Sequence, residues 1–145
     1  MIIIRERKWV INDIAQMMGK SSLTKGHSYY TSNLRLNLKI DTDWVKYMLD
    51  SFYDSPLYKL TKGDQVKLAK EAEKFPVKMI PLKDIVSEQT WFDPFILLDN
   101  LNKPSSLPIA TMLSKGKYLL LDGNHRVISA IMNKKSTIKS YVLTY

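Results

Sequence analysis

A chain of 145 residues suits one domain, or one domain with an extension, and 45% hydrophobic residues is ordinary for a globular core. A formal charge of +8, from 22 Lys and Arg against 14 Asp and Glu, favours polyanionic partners. The absence of cysteine excludes disulfides, thiolate zinc sites and a cysteine nucleophile, and His27 and His125 are too few for a histidine-rich metal site. No run approaches the roughly 18 apolar residues of a membrane helix. Met1-Ile2-Ile3-Ile4-Arg5 places its apolar residues before its charge, the reverse of a secretory signal. A cytoplasmic protein without membrane association is expected.

The basic excess is strongest in residues 1–40, where Arg5, Arg7, Lys8, Lys20, Lys25, Arg35 and Lys39 face only Glu6 and Asp13. Ile2 to Ile4 suits a short strand. Val10, Ile14, Met17 and Met18 have helical spacing, and Gly19 ends that helix. Asn12 to Ser22 faintly resembles the first half of a helix-turn-helix, but Ser28 to Leu38 reads poorly as a recognition helix. Ser21 to Ser32 reads as a loop. Within it His27-Ser28-Tyr29-Tyr30 is better suited to packing a tyrosine on the core than to stacking a base. Leu34, Leu36, Leu38 and Ile40 alternate with polar residues, which predicts a half-buried strand. Asp41 or Thr42 caps a predicted helix to about Tyr53, with Trp44, Met48, Leu49 and Phe52 on its apolar face. A second helix is predicted from Lys62 to Lys74, with Val66, Ala69 and Ala72 inward, and Phe75-Pro76 ends it.

Val77 to Ile85 reads as a strand with a turn near Pro81. Asp93-Pro94 starts a helix, with aspartate as cap and proline in the first turn. Phe95, Leu98 and Leu101 share its predicted inner face, and Pro104 closes it. Leu107 to Leu113 and Lys117 to Leu121, joined by Ser114-Lys115-Gly116, form a hairpin signal. After Asp122-Gly123-Asn124, the residues Val127, Ile128, Ala130 and Ile131 recur at helical spacing up to Asn133-Lys134-Lys135. Ile138, Tyr141 and Leu143 mark a final strand. The expected class is α+β: a small mixed sheet with flanking helices. Residues 1–75 are expected to form a mainly helical extension packed on residues 76–145.

The chemistry concentrates at Leu121-Asp122-Gly123-Asn124-His125-Arg126. A buried strand runs into a glycine turn that opens a helix. First-turn N–H groups lack internal partners and carry partial positive charge, so a phosphate gains several hydrogen bonds there. Gly123 permits the tight turn and a close approach by the anion. Arg126 supplies a fork of donors, and His125 another donor or, when neutral, a base. Asp122 suits a magnesium ion, the orientation of His125, or acceptance of a proton from a hydroxyl. The plainer alternative makes Asp122 a turn residue and Asn124 a helix cap, with His125 and Arg126 solvated.

Asp-Gly-Asn-His-Arg followed by Val-Ile-Ser-Ala-Ile resembles the signature of the ParB/sulfiredoxin superfamily. Its members end a strand in a Gly-x-x-Arg or Gly-x-His-Arg turn before such a helix. Leu107-Pro108-Ile109-Ala110, Lys115-Gly116-Lys117-Tyr118 and Thr137 to Leu143 resemble the usual flanks in order. Val77 to Leu82 resembles the opening strand. The likeness covers residues 77 to 144. It implies a nucleotide pocket, with Gly123, Asn124, His125 and Arg126 on the phosphates of a nucleoside triphosphate or diphosphate and Mg2+ at Asp122. Members include CTP-binding partition proteins, ATP-using sulfiredoxins and an ADP-dependent serine kinase, and some plasmid relatives are assigned nuclease or ATPase activity. The fold alone does not choose among these.

The departures narrow the expectation. Asn124 stands where sulfiredoxins carry their catalytic cysteine, which excludes sulfinic acid reduction. The paired-arginine turn of partition proteins is lacking, and their following DNA-binding domain is not expected. A nucleotide-binding protein that gates non-specific nucleic-acid or protein binding is the leading expectation. The alternative is an NTPase, phosphotransferase or nuclease with Asp122, His125 and Glu88 as catalytic groups. Of the neighbouring acids Glu88, Asp93 and Asp99, Asp93 reads as a helix cap and Glu88 is freer. Lys115 and Lys117 at the hairpin read as solvated. A buried Asp122 beside His125 with a second carboxylate in reach favours the enzyme. A continuous basic face from Arg5, Arg7, Lys8, Lys20, Lys25 and Arg35 favours the binding protein.

Overall fold

The computed structural model describes residues 8–34, 65–87, 89–103, 106–113 and 116–144. The strand expected over 2–4, the strand expected over 34–40 beyond Leu34 (which itself ends a 3-10 turn), the helix expected from 41 or 42 to 53, residues 62–64 of the next helix, Pro104, Lys115 and the candidate base Glu88 lie outside the described residues. So do Arg5, Arg7 and Arg35 of the expected basic face.

The described helices are α1 (Ile11–Met17), α2 (Gln65–Ala72), α3 (Pro94–Asn102) and α4 (Asn124–Met132). The strands are β1 (Tyr29–Tyr30), β2 (Val77–Pro81), β3 (Ile85–Val86), β4 (Trp91–Phe92), β5 (Ile109–Met112), β6 (Tyr118–Asp122) and β7 (Thr137–Leu143). Five strands form a mixed sheet in the order β2-β7-β5-β6-β3. β5–β6 and β2–β7 are antiparallel, whereas β5–β7 and β3–β6 are parallel. Among the described residues this is an α+β fold, as the pattern of elements predicts.

Strand side chains alternate between two faces, and the neighbours divide accordingly. Ile109, Leu119 and Leu143 join Leu68 and Ala72 of α2 on one face. Leu120 meets Val127 and Ala130 of α4 on the other face, where Ala110 and Val142 also pack together with Ile80. Burial of both faces makes β5 continuously apolar through Ile109 and Ala110. Its Thr111 is tolerated there because the hydroxyl donates to the Leu143 carbonyl at 3.0 Å.

Helix α4 is covered on its outer side too. Its Ile128 and Met132 pack with Leu97 and Leu101 of α3 and with Ile14 and Met18 at α1. Trp9 joins that cluster, and its indole N–H donates to Asn133 Oδ1 at 2.9 Å. Asn102 clamps the Trp9 backbone from both sides: Oδ1 accepts its N–H at 3.0 Å and Nδ2 donates to its carbonyl at 2.9 Å.

The local signals place most helix ends. Asp13 Oδ2 accepts the Val10 N–H at 2.9 Å, which starts α1, and Gly19 with φ 68 ends it. Asp93 Oδ1 accepts from the N–H of Phe95 at 2.9 Å and of Ile96 at 3.4 Å, capping α3 ahead of Pro94.

Three details differ from the sequence reading. In α2, Leu68 and Ala72 face inward while Val66 is 61% exposed and Ala69 is also exposed, because the larger leucine takes the sheet contact. In α3 the buried residues are Pro94, Leu97 and Leu101, so the inner face is rotated from the expected one. Within the expected loop, Tyr29 and Tyr30 pair with Phe92 and Trp91 in a two-stranded ribbon, followed by a 3-10 turn over Thr31–Leu34. The described part of Ser28 to Leu38, which reads poorly as a recognition helix, is accordingly not α-helical. Tyr29 packs against the α1–α3 cluster, and Lys20 Nζ lies 5.6 Å from its ring centre.

Candidate functional site

The sheet delivers β6 to the N-terminus of α4, and Gly123 makes the corner. Its φ of 102 and ψ of 30 lie in the left-handed region, where a side chain is strained. There is also no room for one. A Cβ at Gly123 would stand 2.7 Å from the Pro108 Cβ and 2.9 Å from its Cα. Pro108 cannot easily yield, because its carbonyl accepts the Tyr141 N–H and the Ser140 hydroxyl, each at 3.0 Å. Packing of Pro108 against the turn thus accounts for the glycine.

The next residues tie the turn to its surroundings. Asp122 Oδ1 accepts the Gly123 N–H at 2.9 Å. Asn124 is buried; its Nδ2 donates to the Trp91 carbonyl at 3.1 Å and its Oδ1 accepts from Ser87 Oγ at 3.4 Å. It therefore fixes α4 against the ends of β3 and β4. His125 Nε2 accepts the backbone N–H of Asp93 at 2.9 Å. That bond makes the imidazole neutral with its proton on Nδ1. Burial holds the His125 pKa below its ordinary 6.5; nearby Asp93 opposes that shift and Arg126 adds to it. Arg126 Nη1 donates to the Leu107 carbonyl at 2.7 Å, which fixes one edge of its guanidinium.

The expected site residues 122–126 are thus brought together, and each of their four side chains makes a hydrogen bond within the fold. Asp93, expected as a cap, is a cap and also the neighbour of His125. Asp99 is exposed. Asp122 is partly exposed, and its oxygen is turned toward its own following amide. No group of three or more His, Cys, Asp or Glu side chains suited to a metal ion is present among the described residues.

No protein-family model matches this chain, and no curated protein matches it. The likeness to the ParB/sulfiredoxin superfamily accordingly stands on the residues of the turn and its flanks.

Two cavities flank α4. One, of about 640 Å³, has Arg126, Lys134, Lys135 and Lys139 as its charged lining, with Asn100 of α3 opposite. The other, of about 880 Å³, is walled by Asn124, Val127, Ile128 and Ile131. Sequence reasoning missed the three lysines. Lys134 and Lys135 read as the end of a helix and Lys139 as part of the final strand. Only the return of β7 beside α4 brings them to Arg126. The Ser87 and Trp91 partners of Asn124 had no local signal either, since both contacts span more than 30 residues.

Proposed function

We propose that this protein binds a nucleotide through its phosphates, anchored by the first turn of α4 and by Arg126. The observation that carries the reading is the charge of the smaller cavity. Among the described residues its charged lining is Arg126, Lys134, Lys135 and Lys139, with no carboxylate. Four cations about one concavity form a favourable setting for a polyanion. Of the turn residues Arg126 lines this cavity, and the first-turn N–H groups of Asn124 and His125, which have no partner within the helix, are its neighbours in the chain. The volume of about 640 Å³ lies within the ~300–1,000 Å³ of small-molecule sites. The resemblance of the Asp-Gly-Asn-His-Arg turn to nucleotide-binding relatives supports the same assignment.

Binding is preferred to hydrolysis or phosphotransfer because, among the described residues, the groups of the turn and its neighbour Asp93 that are suited to act as base are engaged. His125 Nε2 accepts from Asp93, Asp122 Oδ1 accepts from Gly123, and Asp93 caps α3. A magnesium ion would be held mainly by the nucleotide's own oxygens, with Asp122 as its nearest acid in the sequence of the turn. Nucleotide-dependent binding of a nucleic acid or protein partner is the role this reading favours.

The test is calorimetry on the full chain with ATP, CTP and ADP, with and without magnesium. Arg126→Ala should weaken triphosphate binding by about 1.5–3 kcal/mol, the range for a hydrogen bond to a charged group. Lys139 is exposed, so Lys139→Ala reports on binding without disturbing the fold. Unchanged affinity in both variants, or no binding by the wild-type chain, rejects the reading.

A further inference from the structure

The larger cavity lies on the other flank of α4 and differs in character along its length. Asn124, Val127, Ile128 and Ile131 follow at spacings of three and four, so they form one stripe along the helix. At 1.5 Å per residue that stripe is roughly 10 Å long. Leu82 and Ile85 also line the cavity, so its middle is aliphatic.

The two ends are polar in different ways. At the C-terminal end of α4, Leu82 donates to the Ser136 carbonyl at 3.0 Å and Pro81 pairs with Thr137. These contacts bring Lys83 and Lys135 to the same end of the cavity. Lys117 is also in the lining, but it is paired with Asp84 at 3.2 Å. Neither Lys83 nor Lys135 has an ion pair among the described residues. At the opposite end stand Ser87, Thr31 and Asn124. Among the described residues the one bond to Asn124 Oδ1 is the long one of 3.4 Å from Ser87, so this oxygen keeps capacity for a further donor.

We propose that this cavity is a second ligand site, for an elongated organic acid. The carboxylate sits between Lys83 and Lys135. An apolar body about as long as the stripe lies along Val127, Ile128 and Ile131, and a terminal hydroxyl donates to Asn124 Oδ1. Charge selects the class. A cation is repelled by the two lysines, a neutral chain leaves them uncompensated, and a polyphosphate finds an aliphatic wall where it needs donors. The two cavities share Lys135, but Arg126 and Lys139 line only the smaller one and Lys83 only the larger one, so variants at those positions separate the two sites.

The experiment uses ω-hydroxyoctanoate as probe on the full chain, by calorimetry below its micellar range, with amide shifts followed by NMR. Octanoate and octanol are the comparison ligands. Saturable binding is expected, with shifts at Ile85, Asn124 and Ile131 and weaker binding of both comparison ligands. The double variant Lys83→Met/Lys135→Met, at two exposed positions, should lose at least tenfold in affinity. Lys134→Met/Lys139→Met should bind like the wild type. No saturable binding overturns the proposal, as do shifts confined to Met79 and Lys139 or unchanged affinity in the first double variant. Octanol binding as well as the acid removes the carboxylate site, and octanoate binding equally removes the hydroxyl site.

Discussion

Nε2 of His125, at the start of α4, accepts the backbone N–H of Asp93 at the cap of α3. The imidazole thereby serves a donor that the first turn of α3 leaves without a helical partner. The same Asp93 supplies its carboxylate to the N–H groups of Phe95 and Ile96. One residue pair thus locks the two helix starts together and sets the entrance of α3 beside the glycine turn.

That lock makes stability depend on pH. Burial holds the folded-state pKa of His125 below its ordinary 6.5, so the unfolded chain takes up this proton first. The contribution is fully present above 6.5 and is lost as pH falls from there through the folded-state value. Protonation also turns Nε2 into a donor facing another donor. Urea melts between pH 7.5 and pH 5 should show the wild type losing stability. His125→Ala should start about 1–3 kcal/mol less stable, the range for an unsatisfied buried donor, and lose less over that interval. An equal slope in both proteins would exclude this role for His125.

Gly123→Ala should be destabilising beyond its conformational strain. The left-handed φ of 102 costs about 1–3 kcal/mol for a residue with a Cβ. The contact of 2.7 Å with Pro108 adds to this by pushing a residue that β7 holds through its carbonyl. The double variant with Pro108→Gly should recover part of the loss, because the Cβ at 2.7 Å is gone while the Cα at 2.9 Å remains. A Gly123→Ala protein that melts with the wild type would show that the turn relaxes without strain.

The N-terminal segment should contribute directly to the stability of the α3–α4 layer. Trp9 is 8% exposed, belongs to the cluster around Ile128 and Met132, and donates to Asn133. Trp9→Ala should cost about 3–5 kcal/mol, as for other buried aromatic truncations. Trp9→Phe should cost less because the ring is retained while the bond to Asn133 is lost. A loss within 0.5 kcal/mol for Trp9→Ala, the ordinary range for surface changes, would show that the segment docks only loosely.

Much of the C-terminal half was legible before any coordinates. Asp93-Pro94, the Ser-Lys-Gly hairpin and the strand–glycine–helix junction are local signals, because caps, turns and left-handed glycines act over a few residues. The same locality explains the turn at residues 122–126, whose residues are neighbours in the chain. Which residues of β6 face α2 and which face α4 was not legible, because Leu119-Leu120-Leu121 is a continuous apolar run. The rotated faces of α2 and α3 were not legible, since several apolar residues compete on each helix and packing chooses among them. Nor were the tasks of the turn's side chains. Asn124 and His125 spend their hydrogen bonds on backbone groups about thirty residues away, and Gly123 answers to Pro108. The lysine-lined cavity arises because β7 returns beside α4 after Lys134 takes a left-handed turn with φ 59. Periodicity reports which side of an element is apolar, but the partner that side meets depends on chain reversals and on contacts between distant segments, which are resolved when the layers pack.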